Sequence, residues 1–373
     1  MTTAASEVLA ALAARHNVLI AGAPATGKTR LLSEVAKLFE THQPQAGGSP
    51  TLVHRSPVPI QGKSTAAPTF EMPSPSKTDR RVFRTAFHQG SKSRDFLTGI
   101  VPNLSGGGAQ FRVNEGVLYK ASEHARQPNG AALLIIDEIN RGPAVQVFAG
   151  AIVAMEGEKR LAPDGKKQDE TQVFELLDPV SGNFAEYALP HDLYILGAMN
   201  QADVSVEPLD VAFLRRWAPY PLEPDPETLR AALGIPSGHV PPPVPTNPVD
   251  VYAAAVGAWE AVNDRIALGR GSEFRLGHGI LLTRQLATTL DDALDHVAAV
   301  WRSIRAHIDE VFFGDVRGVA TVLNAASDVP GHIYELTQRN FGDLPSLILV
   351  GPSTPGRNDV YGMLLAVSVT DNG

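Results

Sequence analysis

Gly22-Ala23-Pro24-Ala25-Thr26-Gly27-Lys28-Thr29 is the stretch that decides the fold. A short apolar run, Asn17-Val18-Leu19-Ile20-Ala21, precedes it. After it comes an amphipathic segment, Arg30 to Phe39, in which Leu31, Val35, Leu38 and Phe39 recur at helical spacing. Strand, glycine loop and helix follow one another. The spacing G-x-x-x-x-G-K-[ST] is that of a phosphate loop, whose backbone N–H groups surround the phosphates of a nucleotide. Its lysine reaches the β- and γ-phosphates and its hydroxyl binds Mg²⁺. A helix N-terminus favours anions, so the context agrees with the spacing. The nucleotide-binding set is Gly22, Ala25, Thr26, Gly27, Lys28, Thr29 and the adjacent Arg30.

Further along, Ala131-Ala132-Leu133-Leu134-Ile135-Ile136-Asp137-Glu138 is a continuous apolar run ending in two acids. Such a run reads as a buried parallel strand delivering carboxylates to its C-terminal end. In phosphate-loop enzymes the first acid, here Asp137, holds Mg²⁺. The second, Glu138, is placed to activate water as a general base. Leu193 to Asn200 is another buried strand ending in a polar residue. Asn200 has two open readings: a side chain level with Asp137 that reaches a γ-phosphate or its water, or a strand-terminal turn former. Arg215 and Arg216 end a helix expected to begin near Glu207. Two readings stand for them as well: complements of the helix dipole, or arginine fingers reaching a neighbouring subunit's nucleotide.

The remaining chain frames these motifs. Its 373 residues allow two or three domains, and 43% apolar with 19% charged residues describe an ordinary soluble globular protein. No apolar run approaches membrane-spanning length and no signal peptide opens the chain, so a cytoplasmic location without membrane contact is expected. The absence of cysteine excludes disulfides, zinc thiolates and thiol catalysis. A net charge of −8 argues against a chain-wide electrostatic footprint for DNA.

Residues Ser6 to Arg15 read as a helix, and about 40–81 as a Pro-, Gly- and Ser-rich insertion with a short strand at Thr51–His54. Lys63, Lys77, Arg80 and Arg81 in it face a partner or nucleic acid, or else belong to a solvated excursion. Arg81 to Phe87 reads as a strand, Gly116 to Arg126 and Ala144 to Glu156 as helices, and about 104–113 and 158–188 as hairpin inserts. Beyond a Pro-rich connector, Pro236 to Pro248, a helix is expected at Val249 to Leu268. Leu290, Leu294, Val297, Trp301, Ile304, Ile308 and Val311 then form a helical seam, read as the core of a lid ahead of a coiled coil. Leu344 to Val369 reads as two strands. The expected architecture is an α/β domain over 1–222 with a parallel-sheet αβα core, a helical lid over 223–330, and a C-terminal extension over 331–373.

Taken in order, the phosphate loop, Leu133 to Arg141, Gly197-Ala198-Met199-Asn200-Gln201-Ala202-Asp203 and Leu214-Arg215-Arg216-Trp217 resemble the AAA+ module of McrB-like proteins, the motor subunits of modification-dependent restriction systems. Phe87-His88, Asp95-Phe96 and Leu276-Gly277-His278 resemble the weaker local motifs of that family, and the resemblance runs from about Val18 to about His278. It implies that Asn200 is the sensor residue, that Asp203 is its companion in the signature, and that Arg215 and Arg216 act in trans. It also implies a hexameric ring with ATP or GTP as substrate and Mg²⁺ as cofactor. The implied partner is a separately encoded effector, such as a McrC-like or nuclease subunit, in restriction or phage defence, with DNA engaged through that partner or the pore. Val204 replaces the signature's usual arginine, and Ser91 and Ser93 stand where relatives carry tyrosines. Only Met1–His16 precedes the first strand, so a motor without its own DNA-reading domain is expected. The alternative is a MoxR-type AAA+ chaperone that remodels partner proteins, which shares nearly all the catalytic residues.

Overall fold

The computed structural model describes residues 3–41, 74, 76–103, 110–202, 209–325 and 331–369. The strand expected at Thr51–His54 and the signature residues Asp203 and Val204 lie outside the described residues. The chain divides into two compact units, Met1–Ala21 with Lys28–Pro221, and Gly22–Gly27 with Leu222–Gly373.

The first unit carries strands β1 (Asn17–Gly22), β2 (Asp79–Ala86), β3 (Thr98–Asn103), β4 (Gln110–Glu115), β5 (Gly130–Asp137), β6 (Phe174–Leu177), β7 (Phe184–Tyr187), β8 (Leu193–Asn200) and β9 (Ala218–Leu222). Its helices are α1 (Thr3–Arg15), α2 (Lys28–Thr41), α3 (Ser93–Phe96), α4 (Val117–Ala125), α5 (Ala144–Phe148) and α6 (Val211–Leu214). Five strands form one sheet in the order β2-β5-β8-β1-β9, and β2, β5 and β8 run parallel. β5 is buried from Gly130 to Ile136 and β8 from Leu193 to Ala198, as strands covered on both faces must be. Register sets the chemistry. Ile136 pairs with Gly197 and Ala86 with Asp137, so Asp137 and Asn200 emerge at the same sheet edge. Beneath that edge Phe87, Phe96, Phe148, Phe213 and Trp217 form an aromatic cluster, with Phe148 and Phe213 centroids 5.2 Å apart. Each such ring removes apolar area worth about 1.5–3 kcal/mol from water.

Two expected elements differ. The helix expected from Ala144 to Glu156 stops at Phe148, where Ala149 takes a left-handed φ of 45°, and 3₁₀ turns continue over Ala149–Ala154. Gly150 packs closely on β6, where an added Cβ would lie 3.0 Å from Cβ of Phe174. The helix before Arg215 is one turn, Val211–Leu214, begun by Asp210, whose carboxylate accepts from Ala212 N at 2.7 Å. The segment 158–188 holds one hairpin, β6 with β7.

Opposite the site, Arg160 is fully buried and ties three elements together. Its guanidinium donates to Oδ1 of Asn17 (2.7 Å), to the Met155 carbonyl (2.8 and 3.0 Å) and to the Leu193 carbonyl. Burial lowers its pKa to about 9. Beside it His16, at φ 62°, stacks on Tyr194 with centroids 5.4 Å apart. Burial first, then the Arg160 charge, lower the His16 pKa from 6.5 to about 3. The unfolded chain therefore binds this proton where the folded one does not. The stability contribution is complete above pH 6.5 and is lost as pH falls from there toward 3, by up to about 4 kcal/mol. His16→Asn, which tolerates the same backbone region, should flatten denaturant midpoints measured between pH 6.5 and 4.5. An unchanged slope would remove His16 as the cause.

The second unit contains α7 (Pro226–Ala232), α8 (Pro248–Gly269), α9 (Leu290–Val311), α10 (Val316–Val322) and α11 (Arg357–Ser368), with a hairpin of β10 (Glu335–Phe341) and β11 (Leu344–Val350). α8 begins at a capping box in which Asn247 and Asp250 satisfy each other's backbone N–H groups. The α9 seam faces inward: Leu294, Val297, Trp301, Ile304 and Ile308 are buried in the unit's core, and Trp301 Nε1 donates to Tyr334 Oη at 2.8 Å. The tail is a correction. Leu344–Val350 is a strand, but the second expected strand is helix α11, whose Val360, Tyr361, Met363, Leu364 and Val367 join the same core. Residues beyond 331 thus pack with the helices.

Candidate active site

Sequence places the loop Gly22–Gly27 between β1 and α2. Gly22 has no room for a side chain, since a Cβ there would lie 2.4 Å from the Leu222 carbonyl oxygen. Ala25 and Gly27 take left-handed backbone at φ 61° and 89°. Thr26 is buried, and its hydroxyl donates to the Ala23 carbonyl at 2.9 Å, closing the loop on itself. Alternating backbone of this kind turns successive N–H groups into one concavity, an anion nest.

Lys28 and Thr29 open α2. Burial lowers the Lys28 pKa, while the Glu138 and Asp137 carboxylates raise it in opposition, which places the ammonium in the field of both acids. Thr29 and Asp137 line a cavity of about 210 Å³ together with Leu32, Arg84, Thr85 and Ile135. Arg30 is exposed and paired with Glu34 at 2.8 Å, one helical turn along α2.

At the end of β5, Glu138 holds a left-handed backbone, φ 50° and ψ 45°. A non-glycine residue pays about 1–3 kcal/mol for a sparsely populated conformation, which persists only where neighbours fix it. Here they do. Asn200 Nδ2 donates to both Glu138 carboxylate oxygens (2.9 and 3.2 Å), and Arg141 Nε lies 3.2 Å from Oε2. Asn140 Nδ2 donates to the Asn200 carbonyl at 2.9 Å, closing a ring of contacts between the ends of β5 and β8. Glu138 N donates to Asp137 Oδ1 at 3.0 Å. Asn200 thus meets the acid beside it directly.

The two arginines separate. Arg215 is exposed at the end of α6. Arg216 is turned inward, with its side chain 11% exposed, its Nε 3.2 Å from Glu156 Oε1 and a further bond to the Ala212 carbonyl. Asp203 lies outside the described residues.

Sequence reasoning did not single out Arg84 and Thr85, Arg141 or Glu156. The first two reach the cavity because β2 is the neighbour of β5, a pairing that only the strand order reveals. Arg141 carries a local signal, three residues after Glu138 in a 3₁₀ turn.

Residues 62–217 match the family model of the AAA domain (dynein-related subfamily), a span that takes in Asp137, Glu138, Asn200, Arg215 and Arg216. Over 223 residues the chain is 27% identical to the type IV methyl-directed restriction enzyme EcoKMcrB subunit of Escherichia coli (strain K12), covering 60% of this chain and 38% of that protein. Over 222 residues it is 28% identical to the type II restriction enzyme BsuMI component YdiS of Bacillus subtilis (strain 168), covering 54% of this chain and 56% of that protein. The chain therefore spans less than two thirds of either relative's length. The parallel sheet and the loop between β1 and α2 make an α/β phosphate-loop fold, and residues 62–217 of it are similar to the AAA domain family. The likeness to these two restriction subunits agrees with the McrB-like resemblance of the motifs.

Proposed function

We propose that this chain hydrolyses ATP or GTP at the site around Lys28, Glu138 and Asn200, and that it does so as a ring motor serving a separate effector. The observation that carries the reading is the Asn200–Glu138 contact at the edge where Lys28 and Thr29 open α2. In this reading the loop amides and Lys28 hold the phosphates. Glu138 accepts a proton from water as its oxygen attacks the γ-phosphorus and the bond to the nucleoside diphosphate breaks. Asn200 orients the Glu138 carboxylate, and Arg215 reaches the developing charge on a neighbouring subunit's nucleotide.

Mg²⁺ fits the donor set. Thr29 and Asp137 supply two oxygens on one cavity, and among the described residues no group of three His, Asp or Glu forms a cage of its own. That is the pattern for an ion that keeps waters and takes its other ligands from phosphate. Bound there, it would neutralise charge on the phosphate oxygens. Both named relatives are restriction-system components, which supports restriction or phage defence as the setting, a nuclease-type subunit as the effector, and DNA engaged through it. Among the described residues no helix is long and apolar enough to cross a membrane.

Turnover of ATP and GTP by the purified chain, measured against protein concentration, tests the reading. The rate per subunit should rise with concentration and plateau as subunits associate. Hydrolysis that is independent of concentration in a monomer would sink the shared site; no hydrolysis of either nucleotide by an associated ring would sink the activity.

A further inference from the structure

The loop Gly22–Gly27 is braced from outside by the segment around Leu276-Gly277-His278, one of the weaker local motifs. Gly277 N donates to the Pro24 carbonyl at 2.8 Å, and Gly279 N to the Ala25 carbonyl at 2.8 Å. The approach leaves no room for any side chain. A Cβ on Gly277 would lie 2.1 Å from the Ala25 carbonyl carbon and 2.3 Å from Thr26 N, and one on Gly279 2.6 Å from the Ala25 oxygen. Gly277 has an ordinary extended backbone, φ −64° and ψ 151°. Proximity to the loop, rather than conformation, is what demands glycine there.

The strap itself is fixed to α8. Asn263, 4% exposed, engages the backbone of one residue twice: Nδ2 donates to the Leu276 carbonyl at 2.9 Å, and Oδ1 accepts from Leu276 N at 2.7 Å. Trp259 Nε1 donates to the same carbonyl at 3.1 Å. On the far side His278 Nδ1 accepts from Asp225 N at 3.2 Å.

A trans peptide points its C=O and the following N–H in opposite directions. Fixing the Pro24 and Ala25 carbonyls on the strap therefore aims Ala25 N–H and Thr26 N–H away from it, into the concavity of the loop. We propose that Gly277 and Gly279, held by Asn263 and Trp259, are positioning residues that pre-set the phosphate loop's amides for a nucleoside triphosphate. This rests on the reading of Gly22–Thr29 as the nucleotide site. Pre-orientation reduces the ordering cost of binding, so its loss appears in affinity. Lys28, Glu138 and Asn200 are untouched by the strap's variants.

Gly277→Ala and Gly279→Ala should each raise KM for the hydrolysed triphosphate about tenfold or more, and leave kcat within about twofold. Far-UV circular dichroism should match wild type. A merely structural defect would lower the active fraction, and so kcat, without moving KM. Hydrogen exchange on the unaltered chain supplies a readout independent of how the variants fold: adding triphosphate should increase protection of peptides covering 276–279. KM values equal to wild type in folded variants, or exchange over 276–279 that is indifferent to nucleotide, would overturn the brace. Lys28→Ala separates the two levels: if unaltered chain and Lys28→Ala bind triphosphate equally, the site reading itself falls.

Discussion

Glu138→Gln is expected to lower turnover by about 10²–10⁴-fold, the range for loss of a general base, with nucleotide affinity unchanged. Glutamine keeps the shape of the side chain, and its amide oxygen can still accept from Asn200 Nδ2 at the 2.9 Å contact. It cannot take up the proton released as water attacks. The left-handed backbone at residue 138 should also survive, because Asn200 and the adjoining 3₁₀ turn still hold it. The variant should therefore trap triphosphate. Equilibrium titration beside single-turnover hydrolysis separates the two effects. Normal turnover would remove Glu138 from its role, and lost binding would recast it as a structural partner of Lys28, whose ammonium lies in its field.

Arg215→Ala and Arg216→Ala should fail in different ways. An arginine finger contributes about 10³–10⁵ in kcat, and Arg215 is the exposed member of the pair. Its removal should abolish turnover and leave the melting temperature unchanged. Arg216→Ala removes the partner of Glu156 and bonds beneath α6. It should cost roughly 1–3 kcal/mol of stability, the price of leaving a largely buried acceptor unpaired. Thermal melts and steady-state rates on both variants decide it. A catalytically dead Arg216→Ala with wild-type stability, beside an active Arg215→Ala, would reverse the assignment.

How far these positions could be read from sequence depends on the kind of signal each carries. β5 and β8 were legible because a strand buried on both faces is one apolar run, and Asp137, Glu138 and Asn200 stand at the ends of such runs. The loop was legible because its glycines and lysine are fixed by phosphate chemistry. The tail was not. In Tyr361 to Val369 apolar residues occupy nearly every position, so periodicity cannot separate strand from helix. Burial of Val360, Met363, Leu364 and Val367 at helical spacing resolves it only once α8 and α9 are in place. The Arg216–Glu156 pair joins residues 60 positions apart and leaves no local trace. Leu276-Gly277-His278 was legible only as a weak family motif, and the role of Gly277 and Gly279 is a distance to Pro24 and Ala25.

The central claim is that one subunit's loop and Glu138 work with a neighbour's Arg215. Mixing the two inactive variants, Glu138→Gln and Arg215→Ala, tests it most directly. In a mixed assembly, an Arg215→Ala subunit retains its own loop and Glu138 and can meet the intact Arg215 of a Glu138→Gln neighbour. Random assembly at equal amounts should restore about a quarter of wild-type turnover. A mixture as inactive as its components, in assemblies shown to contain both chains, would contradict the shared site.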